Sequence, residues 1–485
     1  MKREHVKSVV LFSLVILSFV LTTRLWFNIS IEGFFIMSGR DKAKNTENTI
    51  KYDITTLLKP NKIIINTNEK EILLRNSSSN DFYDSVLNDS ILVLKQLLSS
   101  KEIEYLTQSV DVLSDVRKTK SIELILSEAV EANTIVGLLK LESNPHEGIR
   151  SINEFIICPL DKKAYIFDKN QNKVFEFKVS YLEGGLELML QLIEKVNSTE
   201  ESISHLYLND IVAPEKDAGP EAYTIDKNAI VPINLLEMPV LSIESEIHAN
   251  GEITDDIRSF FDDNDDINII IDEEGIVKYT DRDEESVWVS DDGTIEYFNN
   301  STYNGGQSSI SLHDAIKLSA DYIDRHMGFP EDSYLSEIER EDIGSKTVYV
   351  IRYKYRYEGL PIIVESGIYS HSIEVKIDGD QVRRYKRMVK KISYSDEFSK
   401  INFINAFDTI SGRNKKELIP KGERISKIND MYLAYYERSS SLIPVWVVDV
   451  EIENMKSEKG MPTENKKYIV YYDNDSNTGH IIDEL

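Results

Sequence analysis

Four groups of side chains in this 485-residue sequence have the types and spacing to do chemistry. The first is Asp473-Asn474-Asp475-Ser476-Asn477-Thr478-Gly479 with Glu484 at the twelfth place, an alternation of oxygen ligands that can wrap a hard cation. Thr478 stands where a calcium loop needs glycine for its sharp turn, and a hairpin tip explains the same residues through turn chemistry. No metal site and no cofactor is therefore assigned. The second group is acidic: residues 251–300 carry 17 Asp and Glu against three basic residues, Arg258, Lys278 and Arg282. Paired carboxylates serve glycosidases, but adjacency in sequence does not supply the roughly 5 to 10 Å separation that the chemistry needs, and solvated faces account for them. Asp262, Asp263, Asp265 and Asp266 would attract cations only loosely. The third is Cys158, the one cysteine, set in the strand-like Phe155-Ile156-Ile157-Cys158-Pro159, where a small core thiol is the expected reading.

The fourth group is Arg383, Arg384, Lys386, Arg387, Lys390 and Lys391, six basic residues within nine. Residues 345–400 hold 12 basic against seven acidic side chains. Two readings fit: contact with anionic lipid headgroups or wall polymers, and complementarity with the acidic segment. The second is preferred. No P-loop, GxGxxG, GxSxG or HExxH run occurs, and the eight histidines lack ligand spacing, so an enzyme is not expected. The formal charge of -27 argues against nucleic acid as a partner, and a single cysteine excludes an internal disulfide or a multi-cysteine metal site.

Elements that must carry these groups can be read from periodicity. From Ser8 to Thr23 no charge occurs, and the run extended to Phe27 makes 20 residues, a helix of bilayer thickness. Lys2, Arg3 and Lys7 precede it, which puts a short tail (1–7) in the cytoplasm, an uncleaved anchor at 8–27, a linker at 28–42 and everything later outside the cell membrane. On the anchor, Ser18 and Thr22 lie one turn apart and share a face, so they are the candidate contacts within the membrane.

Beyond the linker, an α+β architecture of three mixed domains is expected: 43–205, an acidic middle domain 206–300, and 301–485. In the first, strands are expected at 62–66, 121–126, 154–158, 164–167 and 173–179. Helices run through Tyr83, Leu87, Ile91, Leu94 and Leu98, and through Leu186, Leu190, Ile193 and Val196. In the middle domain, four short strands and an Asp292-Gly293 hairpin turn show that the acidic segment is folded. The last domain reads as a duplicated helix-plus-antiparallel-sheet (PepSY-like) unit. Its first helix is capped by Ser311 with Asp314 and its second runs through Phe403, Phe407 and Ile410. In 347–357 the odd positions make one tyrosine-rich face while Arg352, Lys354 and Arg356 share the other.

The Ser13-to-Trp26 anchor and Leu58-Lys59-Pro60-Asn61-Lys62-Ile63-Ile64 begin a series of short motifs. It continues with Tyr357-Glu358-Gly359-Leu360-Pro361-Ile362, Ile373-Glu374-Val375-Lys376-Ile377, Ile428-Asn429-Asp430-Met431-Tyr432 and Pro444-Val445-Trp446. In their order these resemble the YycH family of Gram-positive bacteria, with Ala434 standing where a glycine is expected. The resemblance implies a non-enzymatic regulator that, with a sister protein YycI, binds an essential membrane sensor histidine kinase of the WalK type controlling cell-wall metabolism. It also implies that the transmembrane helix carries much of that contact. A competing class is a wall-associated protein whose PepSY-like repeats hold a protease or polymer. A third, a peptidoglycan hydrolase, would need carboxylates converging in a cleft.

Overall fold

The computed structural model describes residues 57–75, 81–100, 103–142, 146–179, 183–198, 205–211, 223–226, 229–232, 236–245, 247–261, 266–281, 285–300, 309–343, 346–364, 372–388, 390–401, 423–454, 464–473 and 478–484. The expected tail, anchor and linker, Ser18, Thr22 and the helix expected around Phe403 lie outside the described residues. The chain divides into Met1–Thr49 and Ile50–Leu485, and all described residues belong to the second unit. None of the described helices is long and apolar enough to cross a membrane. The fold mixes helix and sheet and is dominated by sheet.

Nine antiparallel strands form the first sheet. Their order is Ile230–Pro232, His205–Tyr207, Glu71–Leu74, Lys62–Asn66, Ser121–Glu131, Ser151–Cys158, Lys163–Asp168, Lys173–Lys178 and Tyr105–Gln108. Ile63, Ile64 and Ile65 are all buried, which is why Lys62–Asn66 reads as a continuous apolar run rather than an alternation. One face takes the helices Asp81–Ser99 and Glu183–Ser198. Tyr83, Leu87, Leu94 and Leu98 of the first helix and Leu186, Met189, Ile193 and Val196 of the second pack with Ile63, Ile65, Ile122 and Leu124. Strand alternation turns Glu123, Glu154, Ile156 and Cys158 to the opposite face, where the short helix Val112–Val116 covers Ile156 and Cys158. Arg117 follows that helix. It donates to Glu123 at 2.6 Å and to Glu154 at 2.9 Å in a buried cluster that satisfies three charges at once.

A larger sheet system follows. Asn268–Ile271, Val277–Asp281, Glu285–Val289 and Ile295–Asn299 form an antiparallel meander. Its last strand pairs with Gln381–Arg387, which leads to Ile373–Asp378, Lys346–Tyr357 and Ser333–Ile343. The expected domain boundary at residue 300 thus cuts through one sheet. The physical cause is visible in its core: Phe260 and Tyr297 of the acidic segment pack with Tyr322 and His326 at the end of helix Leu312–Arg325 and with Tyr385. That helix begins as expected, with Ser311 accepting from the Asp314 backbone N–H at 3.1 Å. The odd-numbered face of Lys346–Tyr357 is buried under it, and Ser319 and Tyr353 share a 2.7 Å hydrogen bond.

The final sheet combines distant segments. Glu423–Arg438 pairs with Ser441–Asn454, then Glu464–Asp473 and Thr478–Glu484, while Leu360–Ile363 joins Glu423–Arg438 in parallel. Leu236–Ser245, which precedes the acidic meander in sequence, pairs here with Lys390–Ile401. A separate core centred on Trp446, Val448, Tyr435, Leu241 and Met431 lies beneath it.

Candidate functional site

The segment 58–62 enters the first sheet, but its polar groups are held by the later sheets. Lys59 Nζ donates to Asp332 at 2.9 Å, and the Pro60 carbonyl accepts from Arg356 Nη2 at 2.7 Å. Lys62 Nζ reaches both oxygens of Asp430, at 2.7 and 2.6 Å. Arg356 is buried and lies over the Tyr334 ring, with its guanidinium carbon 4.1 Å from the ring centre. These links join sequence positions about 270 to 370 apart and create a cleft of about 790 Å³.

Its walls are three of the motifs singled out in the sequence: Asn61 and Lys62, the turn and strand from Gly359 to Val364, and Asp430 with Tyr432 and Leu433. Gly359 has φ +73°, a left-handed position that favours glycine, and it turns Lys346–Tyr357 into Leu360–Ile363 at the rim. Further in, Arg75 follows the strand Glu71–Leu74, Lys354 comes from Lys346–Tyr357 and Lys467 from Glu464–Asp473.

The acids of the cleft already have partners. Asp430 holds Lys62, Asp449 accepts from Asn429 at 3.2 Å and faces Lys467 at 3.7 Å, and Glu337 meets Arg352 at 3.3 Å. Two cations differ from these. Lys354 forms no ion pair among the described residues; burial pushes its pKa down to about 8, helped by the neighbouring charge of Lys467 and opposed by the Glu337 carboxylate. Arg75 has no acidic partner among the described residues, and its Nε is buried without a hydrogen bond; burial lowers its pKa. In the sequence Lys354 appears only as one of three cations on a strand face, with Arg352 and Arg356, and Arg75 draws no notice; only the tertiary fold brings them to one volume.

The six basic residues that did stand out have another environment. Arg384 contacts Glu296 at 3.0 Å and Lys386 contacts it at 3.2 Å, and Glu296 belongs to the acidic meander. Arg383 lies 3.9 Å from Asp378 and 3.4 Å from the Asn299 side-chain oxygen, and Arg387 donates to the Gly328 carbonyl at 2.6 Å. Lys390 is held by Glu437, and Lys391 is exposed. A second, more open cleft of about 510 Å³ is lined by Arg356, Arg387, Lys390 and Lys391 together with Asp256, Glu331, Asp332 and Glu358, so its charges balance.

The acidic segment is similarly committed to its own fold. Asp272 accepts from the Glu274 and Ile276 backbone N–H groups and pairs with Lys278, and Glu285 accepts from the Tyr297 hydroxyl at 2.7 Å. No group of three or more metal-ligating side chains occurs among the described residues. Glu464–Asp473 and Thr478–Glu484 pair antiparallel, with Asp473 opposite Thr478 and Glu484 opposite Tyr468 in backbone register, and residues 474–477 lie outside the described residues. Cys158 is buried against Thr119, and burial pushes its thiol pKa up to about 12, the reverse of an activated nucleophile.

One surface stands apart. Among the described residues Asn268–Ile271 ends the meander with a strand neighbour on one side only, and Ile269, Ile270 and Ile271 are 42%, 54% and 63% exposed. Three adjacent isoleucines in sequence imply burial, and only the strand's place at the sheet edge reverses that reading.

Residues 4–187 match the YycH protein N-terminal domain. No curated protein matches the chain. Among solved structures, an uncharacterized protein from Eubacterium rectale is similar over 54% of this chain and 90% of its own, at 13% identity and a TM-score of 0.35.

Proposed function

We propose, from the match of residues 4–187 to the YycH protein N-terminal domain, that this chain is a non-enzymatic, membrane-anchored regulator of a WalK-type sensor histidine kinase governing cell-wall homeostasis. It acts together with a YycI-like partner. The family match over residues 4–187 is the observation that carries this reading. Two surfaces supply the contacts: the Ser18 and Thr22 face of the anchor, and the exposed edge strand Asn268–Ile271 outside the membrane.

An edge strand offers unpaired backbone donors and acceptors to a partner strand, and its isoleucines offer apolar surface on both faces. Membrane hydroxyls contribute less, about 0.6 to 2 kcal/mol per interhelical hydrogen bond. Crosslinking followed by purification of the full chain tests the reading. The kinase is expected to co-purify, less so with Ser18→Leu and Thr22→Leu together, and less so with Ile270→Lys. Full regulation by a chain whose residues 8–27 are replaced with an unrelated anchor would contradict the membrane contact. Absence of any kinase among the crosslinked partners would contradict the function itself.

A further inference from the structure

Arg75 and Lys354 are half-buried cations lining one cleft, and neither forms an ion pair among the described residues; Arg75 Nε is buried without a hydrogen bond, and the Glu337 carboxylate is the one acid that acts on Lys354 from nearby. Removing a cation from water without a counter-charge is unfavourable by several kcal/mol, and proteins usually avoid it by pairing. The same molecule shows that habit: Arg117 has two carboxylates, Arg352 has three, and Lys62 has both oxygens of Asp430. A cavity lined by two cations that form no ion pair among the described residues, beside a loosely held third, Lys467, is arranged for an anion from outside.

Charge and size narrow its class. Three cations lining one cleft exceed what a monoanionic carboxylate or a phosphodiester neutralises, but they match the two negative charges and three oxygens of a phosphomonoester. The volume of about 790 Å³ is far larger than one phosphate and falls in the range of organic ligand sites. We propose that this cleft binds an organic phosphomonoester, with its phosphoryl group held by Arg75, Lys354 and Lys467. The ligand body lies along Tyr432 and the Gly359-to-Val364 wall. The cleft joins the first sheet to the last, through Lys62 to Asp430 and Arg356 to Pro60, so an occupant would bridge the same elements. This inference does not depend on the kinase being the partner.

Isothermal titration of the full-length chain with sn-glycerol 3-phosphate tests it, with glycerol and the diester glycerophosphoglycerol as comparison ligands. Saturable binding of the monoester is expected, weaker binding of the diester and none of glycerol. Arg75→Gln and Lys354→Met should each weaken binding roughly tenfold or more. Both variants should melt at the wild-type temperature or above it, because each removes a half-buried charge without breaking an ion pair among the described residues. Affinity should fall as pH rises through about 8, where Lys354 loses its proton, since the ligand stays dianionic there. No saturable heat with the monoester, equal affinity for the diester, or binding unchanged in both variants would overturn the proposal. A loss of binding accompanied by unfolding in both variants would overturn it as well.

Discussion

The basic strand Gln381–Arg387 and the cleft between the first and last sheets use positive charge in opposite ways. On the strand, Arg384 and Lys386 meet Glu296 across an antiparallel register that places Phe298 opposite Arg384 and Glu296 opposite Lys386. In the cleft, Arg75 and Lys354 line open volume without an ion pair among the described residues, Glu337 acting on Lys354 only from nearby. Dense charge in a sequence is conspicuous, yet here it belongs to the joint between the acidic meander and its sheet. Isolated charge is inconspicuous, yet here it is the charge left without an ion pair among the described residues. A charge run therefore says little about function until its cross-strand partners are known.

Substitutions can break this contrast, and the largest effect should come where pairing is most complete. Arg117→Met strands Glu123 and Glu154 in the interior and should lower unfolding free energy by about 3 to 5 kcal/mol, read from urea midpoints. An unchanged midpoint would mean that the buried cluster contributes nothing.

Next comes His326, a group that avoids charge altogether. It stacks on Phe260 at 4.3 Å, and burial, then Arg325, brings its pKa down to about 4 from an ordinary 6.5. A depressed histidine binds fewer protons folded than unfolded. Its contribution is therefore full above pH 6.5 and declines as pH falls toward 4, by up to about 3 kcal/mol. His326→Phe should flatten that part of the stability profile. If the slope between those pH values stays the same, another group is responsible.

Glu296→Gln comes third. It weakens the charge-assisted bonds of Lys386 and Arg384 together and should cost about 2 kcal/mol. Smallest is Ile270→Lys on the open edge, where stability should stay within about 0.5 kcal/mol of wild type. Any loss of partner capture by this variant then reports on contact rather than folding.

Much of the architecture was legible because local periodicity was strong. The helix Asp81–Ser99, the strands at 62–66 and 164–167, the Ser311 cap and the tyrosine face of Lys346–Tyr357 all follow from spacing alone. Long-range pairing was not legible. Leu236–Ser245 joins Lys390–Ile401 across some 150 positions, and no local pattern encodes that register. Ser333–Ile343 escaped notice because its second half is polar and exposed. The boundary at residue 300 followed a change in composition, whereas Phe260 and Tyr297 bind the acidic segment to the aromatic cluster of the next helix. The site was legible only in fragments. Asn61-Lys62, Gly359 to Ile362 and Asp430-Met431-Tyr432 were noticed as motifs, but that they line one cleft depends on tertiary contacts such as Lys62 to Asp430.

The contrast between committed and uncommitted charge is tested most directly by paired thermal melts of ligand-free protein, comparing Glu296→Gln with the double variant Arg75→Gln/Lys354→Met. The predicted result is opposite behaviour: a lower melting temperature for Glu296→Gln, and an unchanged or higher one for the double variant. Comparable destabilisation in both would contradict it, because the cleft cations would then be structural members of the fold like those on the basic strand.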